Sequence, residues 1–316
     1  MSRSQVVSGR TIIFPLEVIT GIFIDLSVSR ANLRLFFRKV LSSCIMKIGN
    51  RIYPDSPFER MMKVKVEDSS KGRYQFDENY PYYEDGLWYR FNKLLCSIVL
   101  NCLAIPYMKI AMGLRVKGRE VLKKYSKELE GGAVTICNHV YLMDAVAVSW
   151  AVRKFRRIHI LMYAKHFNNP GFHWMLHSMG GVPIAENIAG MRKFDEAFDK
   201  FHEQKQWIHV FPEEVRWDYY PYLRPFRKGA FSMAYKYQIP VLPLVITFRE
   251  RKGLYKLFGK ADTPLMTVNI LEPVLPQKGA RRKEEVVRMR KEAHAKMVER
   301  MGVDNIWPAI PEEEVV

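Results

Sequence analysis

The sequence is poor in cysteine: it has four in 316 residues, and no two of them form a Cys-x-x-Cys pair. This scarcity excludes a disulfide-stabilised scaffold and a cysteine-based zinc ribbon. The chain also lacks a Gly-x-Gly-x-x-Gly turn after a strand and a Gly-x-Ser-x-Gly elbow, which excludes a typical dinucleotide fold and a serine hydrolase. His173 and His177 have the spacing of a zincin, but Trp174 stands where its glutamate would be. We therefore expect no metal site.

Long apolar runs are missing as well. The longest such stretch, Leu94–Met108, has 15 residues, includes Asn101 and Pro106, and lies between Lys93 and Lys109. A membrane-spanning helix needs about 20 apolar residues, so we expect no transmembrane span. Because aromatic residues and cations flank the run, it predicts a helix that dips into a membrane interface. A buried core helix of similar length is the alternative.

Acidic residues are outnumbered, 33 against 50 lysines and arginines, which gives a formal charge of +17. Such an excess predicts a polyanionic partner: nucleic acid, an anionic membrane surface or a phosphorylated small molecule. The basic segment 281–300 mixes both signs of charge at helical spacing and has no Phe, Tyr or Trp for stacking on bases. This pattern argues against nucleic acid as the partner.

Strand-like and helix-like patterns alternate along most of the chain, which predicts an α/β domain. Residues 1–60 differ from the rest, and we expect an N-terminal arm that is either poorly ordered or upstream of the native start. Residues 61–118 are expected to form a connector and a membrane-associating helical segment, and residues 119–316 a domain that ends in a charged helix. The predicted strands are Ala133–Cys137, Arg157–Met162, Trp207–Phe211, Val241–Phe248 and Leu265–Leu271. The predicted helices are Leu87–Leu114, one from about Leu142, a short one after 168–171, Ile188–His202, Gly229–Tyr237 and Lys283–Met301.

The junction between the first of these strands and the next helix carries the side chains best suited to chemistry. His139 can accept a proton near neutral pH, and a carboxylate such as Asp144 would fix its tautomer. Five residues apart on a regular helix, the two would be separated by about 140°. They can meet only if His139 lies in the loop that enters the helix. An alternative is that Asn138 merely caps the helix and its neighbours are unrelated.

A second charged segment follows the strand at 207–211. Glu213 and Arg216 stand just beyond its end, where ligands of open α/β sheets tend to bind. An arginine offers a bidentate fork to a phosphate, and a glutamate can accept a hydrogen bond from a hydroxyl. By itself, an ordinary charged turn would explain this segment equally well.

Four blocks in the same order resemble the glycerolipid acyltransferases, the family that includes 1-acylglycerol-3-phosphate acyltransferase. Asn138–Asp144 matches the Asn-His-x4-Asp signature of that family, and residues 180–184 (GVPI after Gly180) resemble its second block. Phe211–Arg216 and the following 226–230 resemble its Phe-Pro-Glu-Gly-Thr-Arg region, and residues 241–245 resemble its fourth block. The resemblance covers roughly residues 87–276.

This resemblance implies a mixed sheet with flanking helices, of the glycerol-3-phosphate acyltransferase type, and acyl transfer from acyl-CoA or acyl carrier protein to the hydroxyl of a lysophospholipid. The acceptor it implies is 1-acyl-sn-glycerol-3-phosphate, and the product is phosphatidic acid. No further cofactor is implied. The expected location is the cytoplasmic face of an anionic membrane, as a peripheral or monotopic protein. The roles it implies are His139 as general base, Asp144 as its orienting partner, Glu213 and Arg216 as acceptor ligands, and Lys165 and Lys228 as further phosphate ligands.

Two positions depart from the family pattern. Glu214 replaces the usual glycine of the third block, and Glu186 stands where the family often has arginine in the second. Both changes add negative charge where a phosphate dianion would bind. They point to an acceptor without a phosphomonoester, or to a lipid-binding protein with weakened activity. The opposite interpretation is that the nearby cations Arg224, Arg227 and Lys228 compensate for them.

Overall fold

A computed structural model describes residues 11–12, 45–48, 51–54, 56–58, 74–168, 170–258, 262–311 and 314. The chain divides into two compact units, residues 1–64 and 65–316. In the first unit, three short strands form an antiparallel sheet in the order β1 (Thr11–Ile12), β2 (Ile45–Ile48) and β3 (Arg51–Pro54). Most of the predicted N-terminal arm, residues 1–60, lies outside the described residues.

The second unit is built on a seven-stranded sheet with the order β4-β10-β9-β5-β8-β6-β7. Its strands are β4 (Arg115–Lys117), β5 (Val134–Cys137), β6 (Ile158–Met162), β7 (Gly181–Pro183), β8 (Trp207–Val210), β9 (Val241–Arg249) and β10 (Leu265–Ile270). Five neighbouring strands are mutually parallel: β9, β5, β8, β6 and β7. Strand β10 runs antiparallel to β9 and parallel to β4. The expected mixed sheet is confirmed.

Helices flank this sheet, as the alternating pattern predicts. They are α1 (Leu87–Ala111, with π-helical turns at Leu100–Ala104), α2 (Arg119–Lys124), α3 (Asp144–Val152), α4 (Pro170–Ser178), α5 (Ile188–Glu203), α6 (Gly229–Tyr237) and α7 (Arg282–Met301). Short 3₁₀ helices lie at Ala164–His166 and Gly253–Leu257. All four residues of β5 are buried, as is typical of a parallel strand covered by helices on both faces.

The core of the second unit consists of two clusters of buried apolar side chains. Phe231 of α6 and Met289 of α7 pack in one cluster with Val134 and Val245 of the sheet, and all four are completely buried. A second cluster joins the aromatic face of α5 to Phe76 and to β8. These two clusters fix the central strands, and through them the loops that follow their carboxyl ends.

Helix α1 departs from the usual pattern of a surface helix, because its apolar residues are exposed. Large side chains more than a third exposed occur along its whole length: Leu87, Trp88, Phe91, Leu94, Leu95, Ile98, Val99, Leu103, Tyr107 and Ile110. The predicted helix is confirmed, but at 25 residues it is longer than the 15-residue apolar run suggests. Among the described residues it is the one helix whose length and composition would allow it to cross a membrane. That it lies at the interface instead stays a prediction.

Candidate active site

Three loops meet at the carboxyl edge of the parallel strands. They follow β5, β6 and β8, which are neighbours in the sheet, and they carry His139, Lys165 and Glu213 respectively. Because parallel strands end at the same edge, the topology gathers these segments from distant parts of the sequence. This edge is therefore the candidate active site.

His139 and Asp144 are joined by a hydrogen bond of 3.1 Å between Nδ1 of the imidazole and Oδ2 of the carboxylate. The same Oδ2 accepts the backbone N–H groups of Val140 at 2.7 Å and Tyr141 at 2.9 Å. Helix α3 begins at Asp144 itself, so His139 lies in the entering loop. This placement is the one that the spacing of five residues requires.

The hydrogen bond determines which nitrogen of His139 can act as a base. Oδ2 of Asp144 already accepts two backbone N–H groups and is therefore an acceptor here, so Nδ1 carries the proton and Nε2 carries the lone pair. The His139 ring stacks on Phe211, with ring centroids 4.0 Å apart. Burial, reinforced by the charges of Arg224 and Arg216, lowers the pKa of His139 to about 3. The imidazole is thus neutral at physiological pH, while 21% of its side chain stays open to a substrate.

Asn138 has a different role from the helix cap considered above. Its buried amide donates to the carbonyl of Ile246 at 3.0 Å and accepts from the Ile246 N–H at 2.8 Å. The β5–β9 pairing ends at Cys137 and Leu244, and the Asn138 side chain continues it by one further step. Asn138 therefore fixes the point at which the chain leaves the sheet and the histidine loop begins.

Glu213 is a buried anchor of the same loop. One of its carboxylate oxygens, Oε2, accepts the backbone N–H of His139 at 2.9 Å and pairs with Nη2 of Arg224 at 2.9 Å. The other, Oε1, accepts the Arg224 backbone N–H at 2.8 Å. Glu213 is 1% exposed, and the Arg224 guanidinium also lies over the ring of Trp217. The sequence analysis did not predict the Glu213–Arg224 ion pair. The one sequence feature that indicates it is the presence of opposite charges on either side of the same loop.

The remaining predicted ligands are more open. Arg216 is about one-third exposed, and its Nε donates to Asp218 at 2.8 Å. Lys165 is exposed in the 3₁₀ turn after β6, and Lys228 is exposed at the start of α6. All three follow strands or precede helices at the site region, but their contact with an acceptor phosphate stays a prediction.

The two departures from the family pattern have clear structural settings. Glu214 is exposed and adopts a left-handed backbone conformation, φ = 61°, which glycine adopts without strain. Its Oε2 lies 3.4 Å from Nε of Arg227, whose Nη1 also reaches Glu314 at 3.1 Å. Glu186 is exposed just before α5. The suggestion that Arg224 supplies compensating charge to a ligand is not supported, because its guanidinium is buried against Glu213.

His173 and His177, the pair with zincin-like spacing, lie on α4. The His173 ring stacks on Tyr74 with centroids 3.9 Å apart, and Nε2 of His177 is 3.8 Å from Glu84. Within the described ranges, no group of three or more His, Cys, Asp or Glu side chains converges as metal ligands would.

The region of the candidate site is similar to known proteins. Residues 113–247 match the model of the Acyltransferase family, a range that includes both the His139–Asp144 pair and Glu213. Residues 113–247 are thus similar to the Acyltransferase family, over somewhat less than half of the chain. Within this range, the loop after β5 holds the imidazole and the loop after β8 holds its anchor.

Two curated proteins of Caenorhabditis elegans are similar to part of the chain. The one named putative 1-acyl-sn-glycerol-3-phosphate acyltransferase acl-2 is 27% identical over 159 residues, which is 48% of this chain and 53% of that protein. Its counterpart named acl-1 is 26% identical over 146 residues, 46% of this chain and 53% of that protein. The chain thus spans about half the length of the curated relatives it matches.

Among solved structures, the chain is similar to the crystal structure of the 1-acyl-sn-glycerophosphate (LPA) acyltransferase PlsC from Thermotoga maritima. The sequence identity is 24% and the TM-score is 0.46, with 66% of this chain and 81% of that chain covered.

Proposed function

We propose that this protein is an O-acyltransferase that moves an acyl group from a thioester, acyl-CoA or acyl carrier protein, to the hydroxyl of a lysophospholipid. The acceptor best matching the names of its relatives is 1-acyl-sn-glycerol-3-phosphate, which gives phosphatidic acid. The observation that carries the proposal is the His139–Asp144 hydrogen bond, which leaves a neutral imidazole with its Nε2 lone pair available.

In the proposed reaction, Nε2 of His139 removes the proton of the acceptor hydroxyl as its oxygen attacks the thioester carbonyl. The carbon–sulfur bond then breaks, and the imidazolium returns the proton to the departing thiolate, so that an ester and a free thiol result. Asp144 stabilises the imidazolium that forms between these two steps. No covalent acyl-enzyme is needed, in keeping with the lack of a nucleophile elbow in the sequence.

Glu213 takes a positioning role in this scheme. Both of its oxygens are engaged by backbone N–H groups and by Arg224, so it holds the histidine loop in place. The acceptor phosphate is then left to the exposed cations Arg216, Lys165 and Lys228. Their charge suits a phosphate, and Arg216 can offer a bidentate contact after exchanging its partner Asp218.

The exposed apolar side chains of α1 support membrane association. A water-soluble helix of this kind would turn its apolar residues toward the core, whereas α1 turns them outward. Membrane association fits a lysophospholipid acceptor, which partitions into the bilayer. The net charge of +17 favours an anionic surface.

A second acceptor class is favoured by Glu214, an exposed carboxylate in the loop after β8. It would repel a phosphate dianion more strongly than a diester headgroup or an uncharged alcohol. The remaining candidate is a lipid-binding protein of weakened activity, since the same repulsion by Glu214 would also disfavour productive binding of a phosphate-bearing acceptor.

The test is an acyltransfer assay with the purified full-length chain, labelled acyl-CoA or acyl carrier protein, and lysophosphatidate beside lysophospholipids with diester headgroups. We expect product with the unmodified protein and none above background with His139→Ala. His202→Ala, on α5 near the opposite edge of the sheet, is the matched control and should retain activity. Equal product from His139→Ala and the unmodified protein would refute the assigned base. Preference for a diester acceptor would favour the second class.

A further inference from the structure

A wide cleft in the described part of the chain lies away from the His139 site. It has a volume of about 850 Å³ and is bordered by α1, by the segment between α3 and β6, and by the turn before β8. These last two segments precede the amino ends of parallel strands, whereas His139 follows the carboxyl end of β5. At a rise of about 3.3 Å per residue, strands of four or five residues separate the two edges by roughly 15 Å. The cleft is therefore a separate feature from the candidate active site.

The cleft has a strongly basic lining. Six cations border it, against two carboxylates, Glu84 and Asp85: the cations are Arg90, Lys93, Arg153, Lys154, Arg156 and Arg157. Arg90 is paired with Asp85, at 2.8 Å from its Nε. The other five form no ion pair with any residue in the described part of the chain. The lining therefore carries a positive charge that the protein itself leaves uncompensated.

Lys93 is the most unusual member of this group because it is only 6% exposed. Its Nζ lies 3.4 Å from the hydroxyl of Tyr89, and a neutral hydroxyl cannot neutralise an ammonium. Burial lowers the pKa of Lys93 to about 7, and an anion bound beside it would oppose that shift. Buried cations are normally paired, so this site has the electrostatic character of a binding site for an anion.

The position of the cleft on α1 indicates where that anion comes from. The lining residues Arg90, Ser97 and Asn101 form one stripe along the helix. The exposed residues Leu94 and Ile98 belong to the adjacent stripe, about 60° away at 100° per residue. If the apolar stripe enters a bilayer, the cleft opens at the level of the lipid headgroups.

We propose that this cleft binds the phosphate of an anionic phospholipid headgroup, at a site distinct from the acyl acceptor site. The lipid holds α1 and the segment between α3 and β6 to the same membrane surface. The proposal does not depend on acyl transfer, since a catalytically inactive protein would bind in the same way.

Vesicle flotation with the full-length chain tests the proposal. The vesicles are pure phosphatidylcholine, or phosphatidylcholine with one-fifth phosphatidylglycerol. The test variant is Arg153→Gln/Arg156→Gln/Arg157→Gln, whose three side chains are exposed, so that folding should be preserved. The matched control is Lys127→Gln/Arg282→Gln/Lys291→Gln, which removes the same charge from exposed positions outside the cleft.

We expect the cleft variant to lose at least about tenfold in affinity for the anionic vesicles, since each cation near an anionic surface contributes about fivefold and three are removed. The control should lose less than about threefold. Lys93→Met, which keeps the length of the side chain, should also weaken binding to anionic vesicles and leave the weaker phosphatidylcholine binding unchanged. His139→Ala should bind as the unmodified protein does, which separates this site from the proposed activity.

Two outcomes would overturn the proposal. Equal losses in the cleft and control variants would mean that net charge alone attracts the protein to the membrane. Saturable binding of inorganic phosphate or sn-glycerol 3-phosphate that the cleft variant abolishes, with vesicle binding unaffected, would mean that the ligand is a soluble phosphate.

Discussion

Replacing Asp144 by asparagine separates the charge of this residue from its geometry. All three hydrogen bonds of the carboxylate go to Oδ2, from His139, Val140 and Tyr141. An amide oxygen at the same place would keep the three contacts and the imidazole tautomer. The NH₂ group would take the place of Oδ1, which is buried and has no hydrogen-bond partner within the described structure. That unsatisfied group costs about 1–3 kcal/mol of stability, which a folded domain should tolerate.

The catalytic effect follows from the lost charge. At the observed separation of 3.1 Å, a carboxylate attracts an imidazolium by about 5 kcal/mol at an effective dielectric constant of about 20. This is an upper limit, because the imidazolium is only partly formed in the transition state. Since each 1.36 kcal/mol is tenfold in rate, we expect kcat to fall by about 10²- to 10⁴-fold. KM for the acceptor should change little, because Asp144 is fully buried behind His139.

The assay is steady-state acyl transfer at saturating thioester, with the folded state checked by thermal unfolding. Asp304→Asn, an exposed position, is the matched control for the loss of one negative charge. In the double variant with His139→Ala, the second substitution should add almost nothing, because both act through one imidazole. A folded Asp144→Asn protein whose kcat is within about threefold of the unmodified value would refute the assigned role of the pair.

Three further predictions concern stability. Glu213→Gln leaves the buried guanidinium of Arg224 without its carboxylate partner. Urea titration should therefore show a loss of about 3–5 kcal/mol in unfolding free energy. A loss under about 1 kcal/mol would contradict the anchor role of Glu213. Glu214→Gly should raise the unfolding free energy by up to about 1 kcal/mol by removing the left-handed strain, whereas Glu214→Ala, measured beside it, should not. Burial lowers the pKa of His209 to about 3 and that of His294 to about 4, both below the value near 6.5 in the unfolded chain. The folded state therefore keeps its full stability above about pH 6.5 and loses it as the pH falls, because the unfolded chain binds protons that the buried imidazoles do not. Between pH 7.5 and pH 5 each should account for about 2 kcal/mol of lost stability, and His294→Gln should remove its share; a flat profile over this range would contradict the assignment.

Regular elements with strong patterns were predictable from the sequence. The helix Gly229–Tyr237 has the predicted bounds, and the predicted strands are confirmed to within one or two residues at each end. The short strands Arg115–Lys117 and Gly181–Pro183 were missed, because three residues show no periodicity and only pairing with β10 and β6 defines them. Helix α3 begins at Asp144, later than Leu142, because the Asp144 carboxylate accepts the backbone N–H groups of Val140 and Tyr141 and so holds the preceding residues in a loop.

The candidate site was predictable only in part, for a related reason. His139 and Asp144 are only five residues apart, so their hydrogen bond follows once His139 is placed in the loop before α3. Arg224 is 11 residues from Glu213, and both are charged residues in a segment that reads as an exposed turn. Their burial results from the way this segment folds back over the histidine loop, where Trp217 donates its backbone N–H to the His139 carbonyl at 3.0 Å. Such long-range packing is not encoded in any local spacing.

The π-helical turns at Leu100–Ala104 have a consequence for how α1 tolerates insertions and deletions. A π-helical segment adds one residue to an otherwise α-helical stretch while the helix on either side keeps facing the same way. The exposed face therefore stays continuous from Leu87 to Ile110, although the sequence period shifts by one position between them. Deleting one residue within 100–104 would yield an ordinary α-helix with both halves facing as before. The same deletion near Cys96 would rotate the part of the helix before it by about 100° relative to the remainder, turning buried Lys93 toward the surface.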